Sequence, residues 1–186
     1  MKFIVFFVYV VLPYLTKAVE IVAQSTHRFI AKADHSARFD VDYVGPAQPD
    51  ARHIVMFAVK QRNLDIIFST LDDVSNPFSK NYGKHWSNAK VQEMTQNIEG
   101  YERIKSFLRQ HSEDISITEA KHKHYLVAEA KVSTWEALFS TKFHTYHVHD
   151  FRKNRKQVAF CGESLSLPVD LLEHVDSVHR AIDLPV

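Results

Sequence analysis

The chain has 186 residues, with 23 Lys and Arg against 22 Asp and Glu, 45% hydrophobic and 24% charged residues, four glycines, six prolines and one cysteine. That length suits one ordinary domain with short appendages and argues against a two-domain enzyme. The apolar fraction is large enough for a packed core, and a near-zero net charge with no basic block and no RNP-type aromatic signature excludes nucleic acid as an expected partner.

Lys2 is followed by the uncharged, mostly apolar run Phe3 to Leu15 and then by Thr16-Lys17-Ala18. This anatomy predicts a secretory signal peptide over residues 1–18, cut between Ala18 and Val19. The run is shorter than the ~20 residues a helical span needs, so no stable membrane span is expected, and a signal anchor is the alternative. Removing Lys2 and Lys17 leaves the acids one ahead of the bases. The secretory route permits disulfides, yet Cys161 is alone, so no intrachain bridge can form and a half-buried strand position is expected for it rather than a nucleophile's role.

Residues 19–50 lack a sustained period and contain Gly45, Pro46 and Pro49, which reads as a leader arm. From His53 to Lys60 both alternating faces are apolar, the pattern of a central strand. Asn63 is placed to cap a helix whose Leu64, Ile67, Phe68 and Leu71 form one stripe, expected to lie on the sheet. Pro77 and Asn81-Tyr82-Gly83 end that unit. Ser87 caps a second helix with Val91, Met94 and Ile98 inward, Gly100 breaks it, and a third helix turns Tyr101, Ile104, Phe107 and Leu108 inward. Ile115–Thr118 and Tyr125–Val132 read as a hairpin around the polar loop Glu119–His124. Ser133-Thr134-Trp135-Glu136 has the form of a capping box, with Val132 and Ala137 as its staple, opening a short helix. Phe143–His149 and Val158–Cys161 are two more strands around the basic loop Arg152–Lys156. The order predicts an α+β domain of ferredoxin-like, split βαβ plan, with an antiparallel sheet and helices on one face.

Four blocks carry a family resemblance. His53-Ile54-Val55-Met56-Phe57-Ala58-Val59-Lys60-Gln61-Arg62-Asn63-Leu64 resembles the opening strand and helix of the pro-kumamolisin activation domain, the prosegment of the sedolisins or serine-carboxyl peptidases, which include tripeptidyl-peptidase I. Asp73-Val74-Ser75-Asn76-Pro77 with Asn81-Tyr82-Gly83-Lys84-His85 is similar to the family's acidic, Val-Ser, Asp-Pro and Tyr-Gly-Lys stretch. Thr141-Lys142-Phe143-His144-Thr145-Tyr146 and Leu167-Pro168 with Leu171 to Val178 resemble its later blocks, in the same order. Trp86 stands where the family usually has Leu, Gly100-Tyr101 replace a Pro-rich helix start, and Cys161-Gly162-Glu163 departs from the usual approach to Pro168.

The resemblance implies an intramolecular chaperone and latency-keeping inhibitor, released at acidic pH, over residues 51–178. Residues 179–186 then open a linker, and Arg180, Ala181, Ile182, Asp183, Leu184 and Pro185 are expected to thread a substrate cleft. The implied partner is a peptidase catalytic domain, in cis or in trans, in the secretory pathway, extracellular or endolysosomal. The family's Ser nucleophile sits in a Gly-Thr-Ser turn; no Ser here adjoins a Gly, and Glu173 and Asp176, three apart, read as a solvated helix end. No catalytic residue, cofactor or metal ligand is therefore assigned. Twelve histidines make the charge strongly dependent on pH near ~6.5, and His144, His147, His149, His174 and His179 are the switch candidates. Two alternatives stay open: a Zn site built on His147, His149, His122 and His124, and a free-standing secreted inhibitor or binding module.

Overall fold

The doubly apolar run at His53 becomes the centre of the main sheet. The computed structural model describes residues 27–35, 38, 40–120, 122–150 and 155–185; the predicted signal peptide and its Ala18–Val19 cut lie outside them. Strand β3 (Arg52–Val59) pairs antiparallel with β5 (Tyr125–Lys131) on one side and β9 (Val175–His179) on the other, and β4 (Ser116–Glu119) adds outside β5. The sheet order is β4-β5-β3-β9.

Side chains alternate along a strand, so the register fixes what each face carries. His53, Val55 and Phe57 lie opposite Ala130, Ala128 and Leu126, and all six are buried. The helices α3 (Ile98–His111) and α4 (Val132–Phe139) supply Tyr101, Ile104 and Leu108 and then Trp135, Leu138 and Phe139 to the same core. Trp135 stacks on Phe139 with ring centroids 5.6 Å apart, Phe57 lies 6.2 Å from both, and the indole Nε1 donates to the His53 carbonyl at 2.9 Å. The opposite face, with Ile54, Met56 and Val127, is only partly covered, and Tyr125 is exposed. The α+β class and the antiparallel pairing agree with the sequence.

Among the described residues one buried side-chain polar atom has no partner, the Tyr101 hydroxyl. An unpaired buried hydroxyl costs desolvation with no compensating bond. Tyr101→Phe is therefore expected to leave the thermal midpoint unchanged or raise stability by about 1 kcal/mol, read by urea unfolding; a loss of that size would mean the hydroxyl is satisfied in solution.

Several elements depart from expectation. The arm over residues 19–50 contains two strands, β1 (His27–Lys32) and β2 (Val41–Pro46). β1 pairs with β8 (Ser164–Pro168), and β2 completes a second sheet, β2-β6-β7, with β6 (Phe143–Asp150) and β7 (Arg155–Gly162). The predicted strand Phe143–His149 thus belongs to a different sheet. The main sheet is closed instead by β9, so Asp176 is a strand residue and shares no helix with Glu173, which ends the single turn α5 (Val169–Leu172). The predicted loop Arg152–Lys156 is shortened by β7, which begins at Arg155.

Helix α1 (Leu64–Ser75) forms as its period predicts, but the stripe does not lie on the sheet: Phe68 and Leu71 are 60% and 51% exposed, and Phe78 just beyond is 96% exposed. Asn63 is left-handed and its amide donates to the Met94 carbonyl at 2.8 Å rather than capping. Ser87 does cap α2 (Asn88–Thr95), accepting from Lys90 N, although Ile98 belongs to α3 and is exposed. Gly100 is inside the first turn of α3, where a Cβ would meet the Asn97 amide at 2.6 Å. The capping box at Ser133 does not form either. Asp114 reaches across instead, accepting from Lys131 N at 2.7 Å and Thr134 Oγ1 at 3.3 Å while pairing with Arg52 at 2.7 Å, and Glu136 accepts from Phe143 N at 2.9 Å. The backbone bond from Lys131 does most to hold the Asp114 carboxyl below its ordinary range.

Candidate functional site

The carboxyl-terminal segment after β9 is seated on the domain. Arg180 is left-handed at φ 64°, and its N–H donates to Asp183 Oδ2 at 3.1 Å, a tight turn that reverses the chain. This turn aims the Arg180 carbonyl at His53, whose Nε2 donates to it at 2.6 Å. Ala181 is fully buried and its carbonyl accepts from Gly162 N at 2.7 Å. A Cβ on Gly162 would sit 3.1 Å from that carbonyl and 3.2 Å from Thr141 Cγ2, so glycine is what lets the segment lie this close. Leu184 is buried in a small second cluster with Val148 and Cys161.

Arg38, from the link between β1 and β2, closes the seat. Its Nη1 donates to the Leu184 carbonyl at 3.2 Å and its Nη2 to the Pro185 carbonyl at 2.8 Å, while Asp40 holds the guanidinium from behind through Nε at 3.0 Å and Nη2 at 2.5 Å. A planar guanidinium presents its donors in a fixed fork, so one Arg can bind two successive carbonyls and a carboxylate together. The Arg38 bond keeps the Asp40 carboxyl below its usual range. Of the six residues expected to thread a cleft, Ala181 and Leu184 are therefore core residues here, and threading requires the segment to leave its seat.

The histidines picked out from the sequence lie elsewhere, mostly on partly exposed ground. His144, His147 and His149 are on β6, with His147 and His149 on one face. His144 Nε2 is 2.6 Å from Glu163 Oε1, and its Nδ1 is 3.3 Å from Tyr43 Oη; His149 Nε2 is 2.8 Å from Asp42 Oδ2, and that bond holds Asp42 below its ordinary range. His174 follows α5, and His179 Nε2 is 3.1 Å from Ser177 Oγ with its Nδ1 at 4.0 Å from Asp183. Among the described residues no group of three or more His, Cys, Asp or Glu is placed to hold a metal ion, and His122 and His124 join no such group. Cys161 is buried at the end of β7, and burial pushes its thiol up to about 12, which leaves it protonated and unreactive.

Sequence reasoning missed two histidines. His53 is buried, and its signal was its phase: second in β3, it lies on the same face as Val55 and Phe57. His35 stands 3.1 Å from Cys161 Sγ through Nε2, and nothing in its neighbourhood in sequence marks it.

The described residues thus form an α+β domain whose carboxyl-terminal segment is held against it by Arg38 and His53. Residues 40–184 match the family described as the pro-kumamolisin activation domain, and the chain belongs to that family. It is 28% identical over 138 residues to aorsin of Aspergillus oryzae (strain ATCC 42149 / RIB 40) and 30% identical over 147 residues to physarolisin of Physarum polycephalum. These matches cover 73% and 76% of this chain but only 21% and 24% of the relatives.

Proposed function

We propose that this domain is the activation prosegment of a secreted sedolisin-type serine peptidase zymogen, which templates the peptidase and keeps it latent. The observation that carries the reading is the family match over residues 40–184. The fold is compatible with it: the partly covered face of Ile54, Met56, Tyr125 and Val127, interspersed with Glu129 and His179, offers a mixed sheet surface to a catalytic domain. The signal-peptide anatomy of residues 1–18 fits delivery through the secretory pathway, to an extracellular or endolysosomal site, and a tripeptidyl-peptidase I-like parent is one specific form of the proposal. Freed from their seat, Arg180 to Pro185 are the residues that would enter the cleft.

The surface histidines His144, His147, His149, His174 and His179 add a pH term to docking. The catalytic domain of a sedolisin, titrated with this chain in trans, is expected to be inhibited at pH 7 and released toward pH 5. Met56→Asp is expected to weaken inhibition at pH 7 by at least about ten-fold, since a charge is forced into a desolvated contact, with little change in the chain's own melting temperature. No inhibition of any sedolisin catalytic domain at pH 7 would sink the reading.

A further inference from the structure

Two imidazoles are built into the seat of residues 180–185. The His53 ring is flanked edge-on by Phe143 at 5.5 Å and Phe160 at 5.8 Å and bonded to the Arg180 carbonyl. The charged groups around it are Arg52 on its own strand and Arg180 and Asp183 of the exit segment. His35 lies against Cys161 Sγ and edge-on to Tyr146 at 5.5 Å, in the cluster that receives Leu184. The charges facing it are Asp34 and Arg38 from its own segment, Arg38 in turn held by Asp40, and Asp183 from the exit segment. Lifting residues 180–185 takes the carbonyl from His53 and Leu184 from beside His35, and admits water to both rings.

We propose that residues 180–185 form an acid-released strap, gripped by Arg38 and let go when His53 and His35 take up protons. Burial holds His53 below its ordinary value, against the pull of the Arg180 carbonyl and with some help from the Arg180 charge. Burial does the same to His35, aided by Arg38 and opposed by Asp34 and Asp183. Both rings are thus harder to protonate under the strap than once exposed, where an ordinary imidazole titrates near ~6.5. The released state binds more protons below that value, so the strap is firmest above ~6.5 and loosens as the pH falls, until the buried rings protonate in place. Between pH 7 and 5 the strap equilibrium shifts by up to about 25-fold per imidazole. The Arg38–Asp40 grip holds through this window, because Asp40 stays ionised.

Strap release is a property of this chain alone; only the use of the freed segment as a cleft thread rests on the function proposed above. The test therefore omits any peptidase. Hydrogen exchange of the Gly162 amide, which donates to Ala181, is followed on the full chain from pH 7 to pH 5 after correction for intrinsic exchange, with β3 amides as the global reference. Protection at Gly162 is expected to fall at least about five-fold while β3 holds. In the double variant His53→Gln with His35→Gln, whose amide nitrogens can stand where the Nε2 atoms stood, the fall is expected to vanish. A flat Gly162 profile in the unmodified chain, an unchanged fall in the double variant, or parallel loss at Gly162 and β3 overturns the proposal. Should the double variant not fold, NMR titration of the His53 ring in the unmodified chain decides: a value below 6.5 is expected, and one at or above it overturns the strap.

Discussion

Trp135→Ala is expected to cost about 3–5 kcal/mol of folding stability, the range for deleting a fully buried large aromatic. Trp135 has no exposed surface, stacks on Phe139, touches Phe57 and spends its only donor on the His53 carbonyl. Truncation opens a cavity between sheet and α4 and leaves that carbonyl to find another donor. Against a typical total of roughly 5–15 kcal/mol, much of the margin is gone. Urea unfolding measures it as a lower midpoint at unchanged slope. A loss under about 1 kcal/mol would mean that the core closes over the gap.

Leu184→Asp is expected to act locally and just as decisively. Burying a Leu side chain contributes about 1.5–3 kcal/mol, and the substitution loses that burial and puts a carboxylate among the apolar side chains of Val148, Cys161 and Ile182, where desolvation penalises it. The segment should leave its seat at neutral pH. Trypsin then reaches the Arg180–Ala181 bond, and cleavage there should rise at least about ten-fold, while the global unfolding midpoint moves little. The two variants separate two levels of order: Trp135→Ala should make many sites cleavable together, Leu184→Asp one. Equal cleavage at Arg180 in Leu184→Asp and the unmodified chain would show that Leu184 does not hold the segment.

The sequence made some of this visible for identifiable reasons. β3 was readable because both its faces are apolar, and α3 because Tyr101, Ile104 and Leu108 recur at helical spacing and are all buried. The stripe of α1 revealed a helix but not its surroundings, since amphipathic period reports that a face is apolar and says nothing of what covers it. β1 and β2 were hidden because their pairing lies with β8 and β6, far along the chain, and their own burial is sparse. β9 was hidden by Asp176 and His179, whose side chains are exposed while Val175 and Val178 turn inward. The Asp114 cap was invisible for a related reason: it is tertiary, and a local box at Ser133 had the right letters.

For residues 180–185, sequence position suggested a linker, whereas in the fold Arg38 and His53 hold them. Residues 180–185 contain no run long enough to announce burial, and the groups that bury them come from three separate parts of the chain. Surface histidines were easy to nominate because they are many. His53, buried, and His35, half-buried, gave no such signal.

The pairing of β1 with β8 has a consequence for biosynthesis. His27 Nε2 already reaches the Leu138 carbonyl across 111 residues of sequence, and the β8 partner lies further on still. At ~5–20 residues per second of translation, the early strands wait on the order of ten seconds before their edges can be satisfied. Arg38, which sits between them, waits as well. The clasp on residues 180–185 therefore cannot form until the whole span from Arg38 to Pro185 has been made.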